Sequence, residues 1–414
     1  MAVVDPLFDP LVVEDPHGYY AELRANDPVH EVPGTSTFLV STMELIHEVV
    51  AQPTVFSSIT AQFLHHSAND GKPGLQGAFP DAERDITAAG AVLATADPPD
   101  HSRQRKVVAR RLSSTAMQAM EPEFRSLVDH VLDVALPAGR IEWMSQLAEP
   151  LPMVMVARVL GLPDDEASRL KEQGYASVEA IGGFVAPERL AELGQPMMDV
   201  GPVVDAYLDT RASGQYNPDT LIGVCARAVD ASELTETEAF AMLFLLVSAG
   251  GESTTSLTGT GARILAERPD LQDRLRAEPE LIPAFVEEAC RLDPPFRGHY
   301  RHVLSDTELG GVTVPAGSTV VLVWPAANRD PLAFPMPDNI DLDRSNPRQH
   351  VGFGWGIHLC VGAPLARVEA KVAFEQLLSR TTSFTIDPAS APLRHHQSLM
   401  IRRLIELPLI LDAQ

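Results

Sequence analysis

Phe353-Gly-Trp-Gly-Ile-His-Leu-Cys360-Val-Gly362-Ala-Pro-Leu-Ala-Arg367 is the stretch whose chemistry organises the rest of the chain. Its clustered glycines let the backbone wrap closely around a group and turn N–H groups inward. A helix is expected to begin just after it, with Pro364 in the first turn. Cys360 then lies at a helix N-terminus, where free N–H groups and the helix dipole favour a thiolate. Such a thiolate can be a nucleophile, a redox thiol or a metal ligand. A lone cysteine is usually a small buried hydrophobe, but that role leaves the glycines and the aromatics around it without a purpose. Zinc is disfavoured, because no second Cys or His stands at ligand spacing. A dinucleotide loop is disfavoured too, since the glycine spacing is wrong and no apolar strand leads in.

Upstream, the clearest element runs from about Thr235 to Arg268. Thr235 and Glu238 have capping-box spacing, and Pro269 is a stop signal. The run Ala239-Phe-Ala-Met-Leu-Phe-Leu-Leu-Val is apolar on every side, which predicts a helix buried in the middle of a large protein. Its centre, Ser248-Ala-Gly-Gly-Glu-Ser-Thr-Thr-Ser, breaks that pattern with two glycines, a carboxylate and several hydroxyls. Two readings stay open. In one, the hydroxyls back-bond to the preceding turn. In the other, the helix widens into a groove for a small ligand, with the acid and hydroxyls handling protons.

The chain has 414 residues, 45% hydrophobic and 21% charged, enough for a large core. From about 15 to 292 it reads as helix-rich, with helical segments over Leu112–Leu136, Gln146–Leu160 and Asp164–Glu179. From about 293 to 414 short β-like runs enter, including Gly311–Pro315, Ser318–Val323 and Leu399–Leu411. The fold class is therefore mainly α with a small β region. A net charge of −24, from 32 Lys and Arg against 56 Asp and Glu, excludes a general nucleic-acid binder. Three cysteines argue against a disulfide framework and for a reducing cytoplasm. No leader is read at the N-terminus and no apolar run of about 20 residues is found, so no membrane anchor is expected.

Phe353-x-x-Gly356-x-x-x-Cys360-x-Gly362 resembles the haem-binding signature of the cytochrome P450 family at every fixed position. Glu288-Ala-Cys-Arg291 is similar to the family's Glu-x-x-Arg pair, whose arginine partner from the later meander is matched by Arg344. Asp97-Pro-Pro-Asp-His101-Ser-Arg-Gln-Arg105 resembles the segment that meets the haem propionates. Counted back from Gly311, Arg301 matches a further propionate contact, and His358 another. Ala249-Gly250-Gly-Glu252-Ser253-Thr254 resembles the oxygen-binding groove of the family's long helix, with one departure: Ser253 stands where threonine is usual. The resemblance covers about 9–411.

It implies the P450 fold as a single domain over 1–414, with haem b buried between the long central helix and the cysteine-loop helix. Cys360 is the implied iron ligand. Phe353, Gly362, Ala249, Gly250, His101, Arg105, Arg301 and His358 are implied to surround the cofactor. Glu252 and Ser253 are implied to organise protons, with Thr254 able to share that role. Glu288, Arg291 and Arg344 are implied to be structural. Pocket-facing positions should be Leu245, Ser248, Ala249, Phe296, Arg297 and Leu399, with more from 78–92 and 182–193. Arg297 is read either as a holder of a substrate carboxylate or as a propionate or surface contact, and His299 as a propionate contact. Histidine pairs His65-His66 and His395-His396 read as surface or loop residues, and Cys225 and Cys290 as buried and inert. The implied function is monooxygenation of a hydrophobic small molecule in the cytoplasm by a monomer. Electrons would come from a separate ferredoxin and ferredoxin reductase, or a flavodoxin, docked on the basic run Arg103, Arg105, Lys106, Arg110 and Arg111. A peroxide-driven peroxygenase and a non-catalytic haem protein are the alternatives.

Overall fold

The computed structural model describes residues 4–60, 62–66, 73–77 and 91–414. Its central element begins at the expected capping box. Thr235 Oγ1 accepts from the Glu238 N–H at 3.1 Å, and the Thr235 N–H donates to Glu238 Oε2 at 2.8 Å. The element is two helices, Glu236–Gly250 and Glu252–Glu267, separated at Gly251. Packing explains both glycines. A Cβ on Gly250 would lie 2.7 Å from Val156 Cγ2, and one on Gly251 would overlap Met153, both on the helix Pro150–Leu160. A Cβ on Gly250 would thus face Val156, and the interruption at Gly251 falls within the stretch read as a groove. By length and composition Glu236–Glu267 could cross a membrane, although no such run is read from the sequence. Much of it is buried in the fold, so its apolarity serves the core.

The cysteine-loop helix, Ala363–Arg380, buries Leu365, Phe374 and Leu377 in the same core. Gly261 of the central element is bare because a Cβ there would strike the Phe374 ring. The helix Ile282–Leu292, which carries Glu288 and Arg291, joins this layer.

Beside the helices lies a five-stranded sheet, ordered Val29–Glu31, Thr37–Val40, Thr319–Val323, Gly298–Val303, Phe56–Ser57. Only the pairing of Thr37–Val40 with Thr319–Val323 is parallel. Val320 is opposite Arg301 and Val321 opposite Tyr300. The two-residue period of Gly298–Val303 puts His299 and Arg301 on one face and Tyr300 on the other. A second sheet joins Arg140–Glu142, Pro408–Ala413 and Thr381–Ile386.

The expected division into a helical part before 292 and a β part after it is too sharp. Strands of three or four residues at Val29–Glu31, Thr37–Val40 and Arg140–Glu142 interrupt the helical part. Val29–Glu31 pairs with nearby Thr37–Val40. Thr37–Val40 also pairs with Thr319–Val323, and Arg140–Glu142 with Pro408–Ala413, partners far along the chain that no local pattern announces. Conversely, the β-like reading of 399–411 shrinks to Pro408–Ala413, because 399–407 turns back on itself and buries Leu404 and Leu407.

His30 ties the N-terminal segment down. Its Nε2 meets Asp5 Oδ2 and its Nδ1 meets Asp27 Oδ2, both at 2.6 Å. The bond to Asp5, against the opposing effect of burial, raises His30 to about 9. A histidine raised above its unfolded value of about 6.5 stabilises the fold fully below that value. The contribution disappears as pH rises through about 9. His30→Gln is therefore expected to lower the urea midpoint in mildly acidic buffer and leave it unchanged in strongly alkaline buffer.

Candidate functional site

The cysteine loop is built on two left-handed glycines, Gly354 at φ +73° and Gly356 at φ +67°, conformations that side chains resist. They bring the Cys360 N–H back to the Phe353 carbonyl at 2.8 Å. The Phe353 ring lies 4.4 Å below the Arg367 guanidinium, which grips Glu287 through two bonds of 2.7 and 3.0 Å. Burial opposes ionisation of Glu287, but bonds from His350 and Arg367 hold it down at about 2. Cys360 is accessible to solvent, yet the protein around its sulfur is close enough that desolvation raises the thiol. The N–H groups of Gly362 and Ala363 and the charges of Arg367 and Arg105 oppose that rise.

A cluster of basic groups adjoins the loop. The His101 and His358 rings are 4.3 Å apart, and His358 Nε2 lies 2.9 Å from Ser58 Oγ. The Trp324 indole donates to His299 Nδ1 at 2.8 Å, leaving the proton on Nε2. Burial, then the neighbouring charge of Arg301, lowers His358 to about 3 and His299 to about 4. Burial alone takes Arg301 down to about 10. Asp97 is the carboxylate that acts on His101 and Arg301, and it is already bonded to Ser57 Oγ and the Ser58 N–H. His101 Nδ1 is buried with no partner among the described residues. A concentration of donors with so little negative charge is suited to a ligand bearing carboxylates. With the accessible sulfur, these residues fit haem and its propionates.

On the central element Leu245, Ala249 and Ser253, four apart, share one face, and Ala249 is exposed on it. Ser253 Oγ donates to the Ala249 carbonyl at 2.9 Å, the back-bonding alternative read from the sequence. Ser248, expected in the pocket, accepts from Gln173 Nε2 at 3.1 Å and donates to the Phe244 carbonyl. Glu252 is buried, and its Oε1 accepts from Arg403 Nε at 2.9 Å while Oε2 has no partner among the described residues. Burial raises Glu252 to about 7 and Arg403 restrains the rise. Arg403 also reaches Glu149 at 3.0 Å, and Glu149 meets Lys171 at 3.2 Å. A carboxyl titrating near neutrality at the end of a charged chain can exchange protons.

Phe296 stands 5.4 Å from His299. Arg297 faces elsewhere: buried, it donates to the Val13 carbonyl at 2.6 Å, beside Tyr20. Its burial excludes the surface-contact reading of Arg297. Leu399 N–H donates to the Gly182 carbonyl at 2.7 Å, joining two segments expected around the pocket. The third, 78–92, lies outside the described residues up to 90. Glu288 accepts from Arg291 at 2.7 and 2.9 Å and from Arg344 at 3.0 Å. Both guanidiniums lie over Phe334. His395 is buried against Glu14 at 2.7 Å, not on the surface.

Two residues escaped the sequence reading. Arg403 sits in an irregular stretch with no periodicity to assign it a face. Glu369 was findable: Leu365, Val372 and Ala373, four before and three and four after it, mark the buried face of its helix. Its carboxyl has no hydrogen-bond partner among the described residues, and burial holds it far above the usual range, with the Thr254 hydroxyl opposing.

A sequence profile described as Cytochrome P450 matches residues 209–407. Cytochrome P450 144 of Mycobacterium tuberculosis is 38% identical over 399 residues, spanning 96% of this chain and 89% of that protein. Cytochrome P450 monooxygenase PikC of Streptomyces venezuelae is 32% identical over 406 residues, spanning 95% and 91%. The crystal structure of CalO2 superposes with a TM-score of 0.85 at 26% identity, over 100% of this chain and 99% of that one.

Proposed function

Because the chain belongs to the cytochrome P450 family, a family of haem-iron oxidoreductases, we propose that it inserts one oxygen atom from dioxygen into a hydrophobic small organic molecule. Haem b, when bound, supplies the dioxygen chemistry. Cys360 is its thiolate ligand, and His101, Arg105, Arg301 and His358 hold its propionates. Leu245, Ala249, Phe296 and Leu399 orient an apolar substrate. Glu252 holds and releases a proton at its carboxyl, with Ser253 and Thr254 beside it. Electrons come from a ferredoxin and its reductase, or a flavodoxin. The chain is read as one domain over 1–414, a cytoplasmic monomer. The observation that carries this reading is the accessible Cys360 sulfur beside a cluster of basic side chains, its imidazoles neutral, that is short of carboxylates. Turnover with a surrogate ferredoxin system and a panel of hydrophobic compounds tests it: products heavier by one oxygen atom are expected, and electron-driven consumption of none of them would sink it.

One observation favours a second reading, peroxide-driven oxygenation. The Ser253 hydroxyl is already engaged by the Ala249 carbonyl, which leaves it less free to relay protons. Activity with peroxide alone, and none with electrons, would decide for it.

Arg403 sets the protonation of Glu252. Arg403→Ala removes the charge that restrains the carboxyl at about 7, so its pKa climbs and the ionised fraction at neutrality shrinks. The acidic limb of the turnover profile is expected to move to higher pH, whereas Arg403→Lys should move it less. Coincident profiles for wild type and Arg403→Ala would refute this coupling.

A further inference from the structure

One buried amide joins three parts of the molecule. Gln104 is 1% exposed and lies between His101 and Arg105 on the helix Asp100–Ala109. Its Oε1 accepts from the Leu93 N–H at 2.9 Å. Its Nε2 donates to the Ala91 carbonyl at 3.2 Å and to Glu238 Oε1 at 3.0 Å. The amide therefore grips the backbone on both sides of Val92, as a neighbouring strand would.

Glu238 decides which way the amide points. It also accepts from the Thr235 N–H and from Arg103, and the Arg103 bond, against burial, holds it at about 2. An ionised carboxylate only accepts, so nitrogen must face it. The reversed amide would set oxygen against both Glu238 and the Ala91 carbonyl, and an NH2 group against the Leu93 N–H.

What the amide grips is an unusual piece of backbone. Leu93 has φ +45°, a conformation that persists in a leucine only where the surroundings impose it. Much of the turn closes on itself. The Val92 N–H donates to Thr95 Oγ1 at 3.1 Å, and the Thr95 and Ala96 N–H groups return to the Val92 and Leu93 carbonyls. The Ala91 carbonyl and the Leu93 N–H need partners from outside the turn, and Gln104 supplies both.

The Glu238 end of this grip brings the turn to the site. Glu238 is seven residues before Leu245, so it shares the face of the central element that carries Leu245, Ala249 and Ser253. The two are about 10 Å apart along the axis. Val92 and Leu93 are buried in the cluster against which Leu245 packs. Resting on the reading of Cys360 as haem ligand and of Leu245 and Ala249 as pocket wall, we propose that Gln104 is a positioning residue for the substrate. By fixing the turn Ala91–Leu93 against Glu238, it sets the distance between that turn and the central element, and so the length of apolar molecule that fits.

Spectral titration of the haem-loaded protein with imidazole and a series of 1-alkylimidazoles of increasing chain length tests this, because the ring nitrogen binds iron while the chain probes the pocket. Gln104→Leu keeps an apolar side chain of similar length but bonds neither backbone group. Imidazole is expected to bind wild type and variant within about twofold, whereas chains that reach the turn should change in affinity by about tenfold, the worth of one to two net hydrogen bonds. Glu238→Gln leaves Gln104 in place and removes the charge that orients it. It should show the same dependence on chain length at smaller size, which keeps the test decisive if Gln104→Leu does not retain haem. Parallel affinity profiles in wild type and both variants, an equal change for imidazole and the long chains, or loss of haem from both variants would each overturn the proposal. Failure of the wild type to bind imidazole at its iron would count instead against the haem-thiolate reading.

Discussion

Cys360→Ser is expected to erase the strongly red-shifted band of the reduced, carbon monoxide-bound protein and to bring oxygenation to background. A serine hydroxyl cannot supply the thiolate that pushes electron density to haem iron. The fold should survive, because Cys360 is accessible and absent from every core cluster, and its loop is fixed by the backbone bond to Phe353 and the two left-handed glycines. The decisive comparison is between spectrum and stability. Loss of the band with an unchanged urea midpoint places the effect at the ligand. A variant that keeps the thiolate band would refute the assignment of Cys360.

The second large effect is on stability. Glu288→Ala is expected to cost about 3–5 kcal/mol, the usual result of removing one partner from a buried ion pair. Here the damage has two sources, since Arg291 and Arg344 both lose their counter-charge in an environment closed to water. The Asp341 N–H loses its acceptor as well. Set against a total stability of about 5–15 kcal/mol, that loss should show as a greatly lowered denaturant midpoint and poor haem retention. An exposed pair gives the control. Arg189→Ala, which breaks the surface contact with Glu179, should change stability by less than about 1 kcal/mol. Equal effects from the two variants would mean that the Glu288 cluster does not hold the frame.

The contrast between these clusters explains what the sequence reveals and what it hides. Glu288 and Arg291 are three apart on one helix, and the cysteine loop is contiguous, so both are legible as motifs. The capping box at Thr235 is local too. The charge chain from Glu252 through Arg403 and Glu149 to Lys171 is assembled from four distant segments, and no spacing rule connects them. The same holds for strand Thr37–Val40, whose pairing with Thr319–Val323 spans most of the chain. Arg297 shows a different limit. Sequence places it near the pocket, but the direction of its side chain depends on the N-terminal segment that receives it at Val13. Gly250 and Gly251 show a third: their purpose is set by Val156 and Met153 on a crossing helix, not by the residues around them.

The ties between the two ends of the chain also govern its synthesis. Val13 is bonded to Arg297, and Glu14 to His395 and Arg402. At about 5–20 residues per second, Glu14 leaves the ribosome roughly 20–80 s before Arg402 exists to receive it. Over most of that interval the strand Thr37–Val40, buried at every residue in the finished fold, also lacks its parallel neighbour. The nascent protein therefore carries an apolar edge through much of translation, and the segment around His395 and Arg402, made long after Glu14, is the one that closes on it.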